Sequence, residues 1–191
     1  MDQMKDEKPN EAENVKVDLG GGKNPLDDHI NVDLRKLPEV DIVATADDLP
    51  FADCTVDRIH ANSLVPHIDN LNAAMDEWSR VLTEGGELEL AATHANSTGI
   101  VADPDHYSWS WTSTTPGWYD IDSEWAYYSD TELQLEEVDV VGWLRPERWW
   151  IRPPSWLFGI LIDWVSHEVA DELIKLPFGG GRVRATWRKP K

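Results

Sequence analysis

The sequence predicts an α/β fold, and three observations predict it. Short β-branched runs bounded by Gly, Pro, Asn and Asp recur through the chain. Apolar residues at three- and four-residue steps interrupt them between the fourth and fifth runs. Polar and glycine-bearing clusters fall where the predicted strands end, which is where α/β sheets hold their ligands.

The elements follow in chain order. Residues 1–14 are polar and charged, contain Pro9 and have no apolar period, so they read as a disordered acidic tail. Order begins at Val15, where VKVDL reads as a buried strand running into Gly20-Gly21-Gly22. INVDL from Ile30, DIVATA from Asp41 and VDRIHANS from Val56 read as three more strands. Leu71, Ala74, Met75, Trp78, Val81 and Leu82 then form one face of an amphipathic helix, with Gly85-Gly86 expected to stop it. ELELAAT from Glu87 is the fifth strand. Residues 97–124, rich in Trp, Tyr, Ser, Thr, Asp and Pro, form a long loop of the kind that is functional or mobile. A sixth strand is expected across Leu133 to Trp143, an apolar helix from about Ser155 to Leu173, and a last strand from Arg182 to Trp187. Residues 15–191 thus form a single domain.

Composition narrows the class. With 41% hydrophobic residues, the 191-residue chain can bury an ordinary core. No apolar run is long enough to cross a bilayer and no signal peptide is visible, so a cytoplasmic protein is expected. Cys54 is the lone cysteine, which excludes an internal disulfide or a multi-cysteine metal site. It is expected to be a buried small hydrophobe, and no metal is expected. The formal charge of -19, from 36 acidic and 17 basic residues, repels nucleic acid and anionic membranes. An acid-crowded, lysine-poor surface is also the habit of proteins from a high-salt cytoplasm, where ions screen self-repulsion. A halophilic origin is therefore expected. The helix of residues 155–173 has too few basic residues to favour a membrane-surface role, and a monomer or homodimer is expected.

The run VKVDLGGGKNP places an acidic residue and a Gly-x-Gly directly after a strand. Asp33 in INVDL supplies a second acidic strand end, eleven residues after Gly22. DDLPFADCTVDRIHANSLVPHI and DEWSRVLTEGGELEL follow. In that order the chain resembles the class I S-adenosylmethionine-dependent methyltransferases, of the small type 11 kind, from about Val15 to Thr93. DPDHYSW is similar to a segment of one subgroup. The resemblance implies a three-layer Rossmann-like sheet, mostly parallel with an antiparallel last strand.

It also implies the cofactor, S-adenosyl-L-methionine, and a set of contacts. Gly20, Gly21 and Gly22 would let the backbone turn and approach the methionyl portion without a Cβ clash. Asp18 would order that loop or face the ligand's ammonium through water. Asp33, followed by Leu34, would accept hydrogen bonds from the ribose hydroxyls. Ala46, Asp47 and Leu49 would line the adenine pocket, and Asn62 and Ser63 would stand beside the sulfonium and the acceptor. The sequence departs from the family at Asn24, Thr45 and Pro66. Asn24 tolerates a left-handed backbone, and Pro66 suits the start of a helix or loop. The link from Gly22 to Ile30 is too short for the usual first helix. That shortness also disfavours a dinucleotide, whose pyrophosphate needs a helix N-terminus.

Methyl transfer demands alignment and exclusion of water, with a general base only where the nucleophile must lose a proton. His106 in the long loop is the first candidate for that role and His67 the second, ahead of His94 and Tyr107. Trp109, Trp111 and Trp118 are candidates for an aromatic wall, whereas the tryptophans after Trp143 are read as packing. The acceptor is expected to be a small molecule. A non-catalytic protein retaining the fold is the alternative.

Overall fold

The computed structural model describes residues 14–95, 97, 106, 111–144, 157, 160–174 and 179–191. The tail of residues 1–13, Tyr107 and Trp109, and the start of the C-terminal helix around Ser155 lie outside these residues.

Among the described residues seven strands form one sheet: β1 (Lys16–Leu19), β2 (Ile30–Asp33), β3 (Ile42–Val43), β4 (Val56–Asn62), β5 (Leu82–Thr93), β6 (Gln134–Leu144) and β7 (Gly179–Arg188). Their order is β3-β2-β1-β4-β5-β7-β6. The first five pair in parallel, and β7 runs antiparallel between β5 and β6. The sheet is thus mostly parallel with a reversed last strand. Strand order reverses at β1, where β2 and β3 lie to one side and β4 and β5 to the other. The switch point of an open α/β sheet is where ligands bind.

Helix α1 (Leu71–Val81) begins at Asn70, whose side chain accepts from the Ala73 N–H at 3.2 Å. All six residues of its predicted apolar face are buried. Gly85-Gly86, however, does not stop it. The chain turns extended at Leu82 and enters β5 directly. Gly85, at φ +80°, lies inside that strand, where β4–β5 pairing slips between Val56↔Leu82 and Arg58↔Glu87. Its N–H donates to Lys189 O and its neighbour Gly86 accepts from Lys189 N, so the glycines serve a bulge.

The expected helix of residues 155–173 is interrupted. Residues 160–163 are helical, a turn follows at Trp164, and α2 (His167–Ile174) resumes. Ile162 buries against Val140 and Ala170, whereas Trp164 is 85% exposed and so does not pack as expected. Cys54 is also exposed, at a turn with φ +56°, rather than a buried hydrophobe. Among the described residues no helix is long and apolar enough to cross a membrane.

Register sorts the sheet into two faces, because paired residues share a side. Val17, Leu19, Ile59, Leu88, Leu90, Val183 and Trp187 lie on one, all buried with α1 in a single core. The other face carries Asp18, Asn31 and His60, then Arg58, Glu87, Glu89 and Arg188. The third layer on that face is not helical among the described residues. The links at residues 20–29 and 34–41 lie there instead, as turns tied down by Asp18 and Asn31.

Candidate cofactor and acceptor site

A cavity of about 950 Å³ opens at the carboxyl ends of β1, β2 and β4. Its size suits a small molecule. Of the residues expected to bind cofactor, Gly20, Asp33, Leu34, Ala46, Asp47, Asn62 and Ser63 line it together. His67 and His106 line it too, and their rings meet edge to face with centroids 4.6 Å apart. A histidine of the long loop and one from the turn after β4 therefore converge at the cavity.

The glycine loop has a specific geometry. Gly20 and Gly22 sit at φ +73° and +57°, conformations that side chains disfavour. A Cβ on Gly20 would lie 2.9 Å from Leu64 Cδ1, and one on Gly22 would lie 3.8 Å from Asp33 Oδ2. Gly21 is constrained by space: its Cβ would meet Asp18 Oδ2 at 2.5 Å and Asn31 Oδ1 at 2.7 Å. Gly21, Gly22 and Asp18 stand behind the cavity wall rather than on it.

Asp18 settles the choice between its two expected roles toward ordering the loop. Its Oδ2 accepts from the Leu26 N–H at 2.9 Å, and its Oδ1 is 2.8 Å from His60 Nδ1. Burial pushes this carboxyl up. The His60 hydrogen bond, the Leu26 N–H and the nearby histidine charges outweigh burial and hold it below the ordinary value of 3.8. Asn31, fully buried and missed at the sequence level, donates from Nδ2 to Gly22 O at 3.0 Å and Glu39 O at 2.8 Å. His60 was missed as well. Both stand at alternate positions on strands whose neighbours are apolar, which is the signal that marks a polar face.

Asp33 is buried to 6% exposure. Its Oδ1 accepts from the Arg35 N–H at 2.8 Å, while no bond to Oδ2 exists among the described residues. A buried carboxylate with one oxygen unbonded among the described residues thus lines the cavity at the end of β2. The wall formed by the loop after β3 differs from expectation. Ala44, Thr45, Ala46 and Asp47 line it, and Trp78 Nε1 on α1 fixes the loop by donating to Ala46 O at 2.8 Å. Leu49 does not line the cavity: it turns into the core at 4% exposure, and its N–H donates to Glu77 Oε1 at 2.7 Å. The Arg80 hydrogen bond holds Glu77 below the usual carboxylate range and outweighs burial, so this tie is ionic at neutral pH.

At the end of β4, Ser63 takes a left-handed conformation at φ +60°, and its N–H donates to Ala91 O. Its hydroxyl donates to Asn62 Oδ1 at 3.2 Å, which also accepts from Arg182 at 3.3 Å. Strain of this kind clusters at ligand sites. Pro66 is buried and opens the 3-10 turn Val65–His67, as its lack of an N–H allows. Asn24 donates its N–H to Gly21 O and closes the loop's turn. His94, in contrast, is fully buried beside Trp111, so it belongs to packing. Trp111 is buried as well, edge to face with Trp187, and builds core rather than a pocket wall.

Known proteins place this geometry. The family described as a methyltransferase domain matches residues 24–90. A comparison with curated proteins gives no significant match. Among solved structures, the YcgJ protein of Bacillus subtilis is 18% identical, with a TM-score of 0.60 over 94% of this chain and 93% of that one. Phosphoethanolamine N-methyltransferase 2 of Haemonchus contortus, in complex with S-adenosyl-L-methionine, is 14% identical with a TM-score of 0.58, over 96% of this chain and 50% of that one. Geranyl diphosphate C-methyltransferase of Streptomyces coelicolor, in complex with S-adenosyl-L-homocysteine, is 14% identical with a TM-score of 0.50, over 93% and 74%. The chain therefore carries a methyltransferase-domain match across residues 24–90, on the α/β fold it shares with structures of methyltransferases.

Proposed function

We propose that the chain transfers a methyl group from S-adenosyl-L-methionine to a small-molecule acceptor. The observation that carries this reading is Asp33: a buried carboxylate lining the cavity at the end of β2 beside the left-handed glycine loop, one oxygen held by Arg35 and the other unbonded among the described residues. Diol recognition by an acidic residue at that strand end is sound chemistry. The cradle fits the cofactor, because a Cβ at Gly22 would fill space in front of Asp33. Bound there, the sulfonium supplies an activated methyl group.

The chain's own residues supply the rest. Gly20 allows close backbone approach, Leu34 and the Ala44–Asp47 stretch receive the base, and Asn62 and Ser63 border the reacting end. His106, with His67 as the second candidate, accepts the proton of a hydroxyl or acid nucleophile. In a salt-rich cytoplasm, screening offsets the repulsion within a -19 chain, so the titrations belong in molar salt.

Calorimetric titration with S-adenosylmethionine and S-adenosylhomocysteine tests the reading. Both bind the folded chain, and Asp33→Ala weakens binding by roughly 1–3 kcal/mol. Failure of both ligands to bind folded protein sinks the proposal. An unchanged affinity in Asp33→Ala removes this residue from the ribose.

A further inference from the structure

Within residues 115–130 four aromatic rings stand in a row at the surface. Trp125 stacks on Trp118, with centroids 4.8 Å apart and planes 18° apart. Trp118 meets Tyr128 at 5.4 Å, and Tyr128 meets Tyr127 at 4.3 Å. All four are exposed, from 38% at Trp125 to 71% at Tyr127. Single exposed aromatics are ordinary, but a contiguous row of them marks a binding surface.

The row rests on a fixed frame. Tyr119 donates its hydroxyl to Asn72 on α1 at 2.9 Å, and Ser129 and Thr131 donate to Asp76 at 2.6 and 2.9 Å. The Trp125 N–H donates to Ser123 Oγ, and the Ile121 N–H donates to Leu133 O. The rings are therefore presented by the fold rather than left over from a loose loop.

Charge selects what they receive. No Lys, Arg or His occurs between Trp111 and Leu144, while Asp122, Glu124 and Asp130 are exposed in the same segment as the rings. Aromatic faces and carboxylates both attract cations, and Arg and Lys side chains satisfy both at once. A neutral glycan would use the rings and gain nothing from the carboxylate charge beside them.

We propose that this row is a docking surface for a basic segment of a partner protein. Its Arg and Lys side chains lie on Trp125, Trp118, Tyr128 and Tyr127, and Glu124 and Asp130 meet their charge. This inference does not depend on the methyl-transfer reading.

Calorimetry with a deca-arginine peptide tests it, using three double variants of the full chain. Trp125→Ala with Tyr127→Ala removes rings without changing charge. Glu124→Gln with Asp130→Asn removes charge beside intact rings. Asp27→Asn with Glu39→Gln removes the same charge elsewhere. The first two weaken peptide binding about tenfold or more, and the third leaves it within about twofold. Equal loss in the second and third variants, with none in the first, means that only the overall negative field attracts the peptide and overturns the proposal. Binding of neutral maltoheptaose in place of the peptide, abolished by the ring variant, also overturns it in favour of a sugar platform. Far-UV circular dichroism establishes that each variant folds, and Tyr127→Ala alone carries the test if the ring pair does not.

Discussion

The two faces of this one sheet obey different rules. On the covered face, Leu88, Leu90 and Trp187 are fully buried and join Trp78 and Met75 of α1 in one apolar core. On the other, Asp18 and Asn31 are buried under short turns by hydrogen bonds beside the half-buried His60, and Arg58, Glu87, Glu89 and Arg188 form an ionic ladder beyond them. Parallel sheets are ordinarily covered by helices on both sides and read as apolar throughout. Here the links after β1 and β2, residues 20–29 and 34–41, form turns rather than helices. With no apolar helix stripe packed against it among the described residues, that side is polar. The lesson is that the glycine loop hangs from a hydrogen-bond network, while the sheet beneath it is stabilised by hydrophobic burial on its opposite side.

The largest expected effect lies on the apolar side. Trp78→Ala leaves a cavity in the core and frees the Ala46 carbonyl, and costs about 3–5 kcal/mol in urea unfolding. A loss under about 1 kcal/mol would break the contrast between the faces.

An intermediate effect belongs to the buried polar patch, and it depends on pH. The Asp18 carboxyl is held below 3.8 when folded. Its contribution is therefore complete above that value and is lost as pH falls through the lower folded value. Asp18→Asn is less stable than the parent at neutral pH, and the gap between them narrows in thermal melts below pH 3.8. A gap that stays constant to the lowest pH studied would show that the carboxylate charge does not hold the loop.

The smallest effect is on the exposed ladder. Arg58→Ala removes ion pairs at 3.1 and 2.7 Å, yet Arg58 is 42% exposed and solvent screens it. A change of about 0–1 kcal/mol is expected, shrinking with added salt. A loss comparable to that of Trp78→Ala would erase the distinction between the faces.

Much of this was legible in the chain. Short β-branched runs mark the strands, and the three- and four-residue steps of α1 name the apolar part of its buried face, missing only Ser79, because side-chain period follows directly from backbone geometry. The cavity wall from Gly20 through Asp33 to Ser63 was readable because each residue closes a strand. Leu49 was not, since a leucine in the loop after β3 looks the same whether it turns outward or toward Glu77. Asn31 and His60 were hidden for a related reason: a polar residue on an alternating strand does not reveal whether water or a folded-over turn lies above it. Trp111 and Trp118 belong to one aromatic segment, yet one is core and the other surface, a difference set by tertiary packing against Trp187.

The place of β7 has a consequence for biosynthesis. It lies between β5 and β6 and is the last of the strands in the chain. As the polypeptide emerges from a ribosome, β1 through β5 can pair in turn. β6 then waits with no neighbour until residues 179–188 follow. During that interval β5 and β6 both present unpaired edges, the condition under which nascent chains pair wrongly or aggregate. The run Glu136-Glu137 with Asp139 on β6 places negative charge on the strand that waits without any neighbour, which is the safeguard such an edge requires.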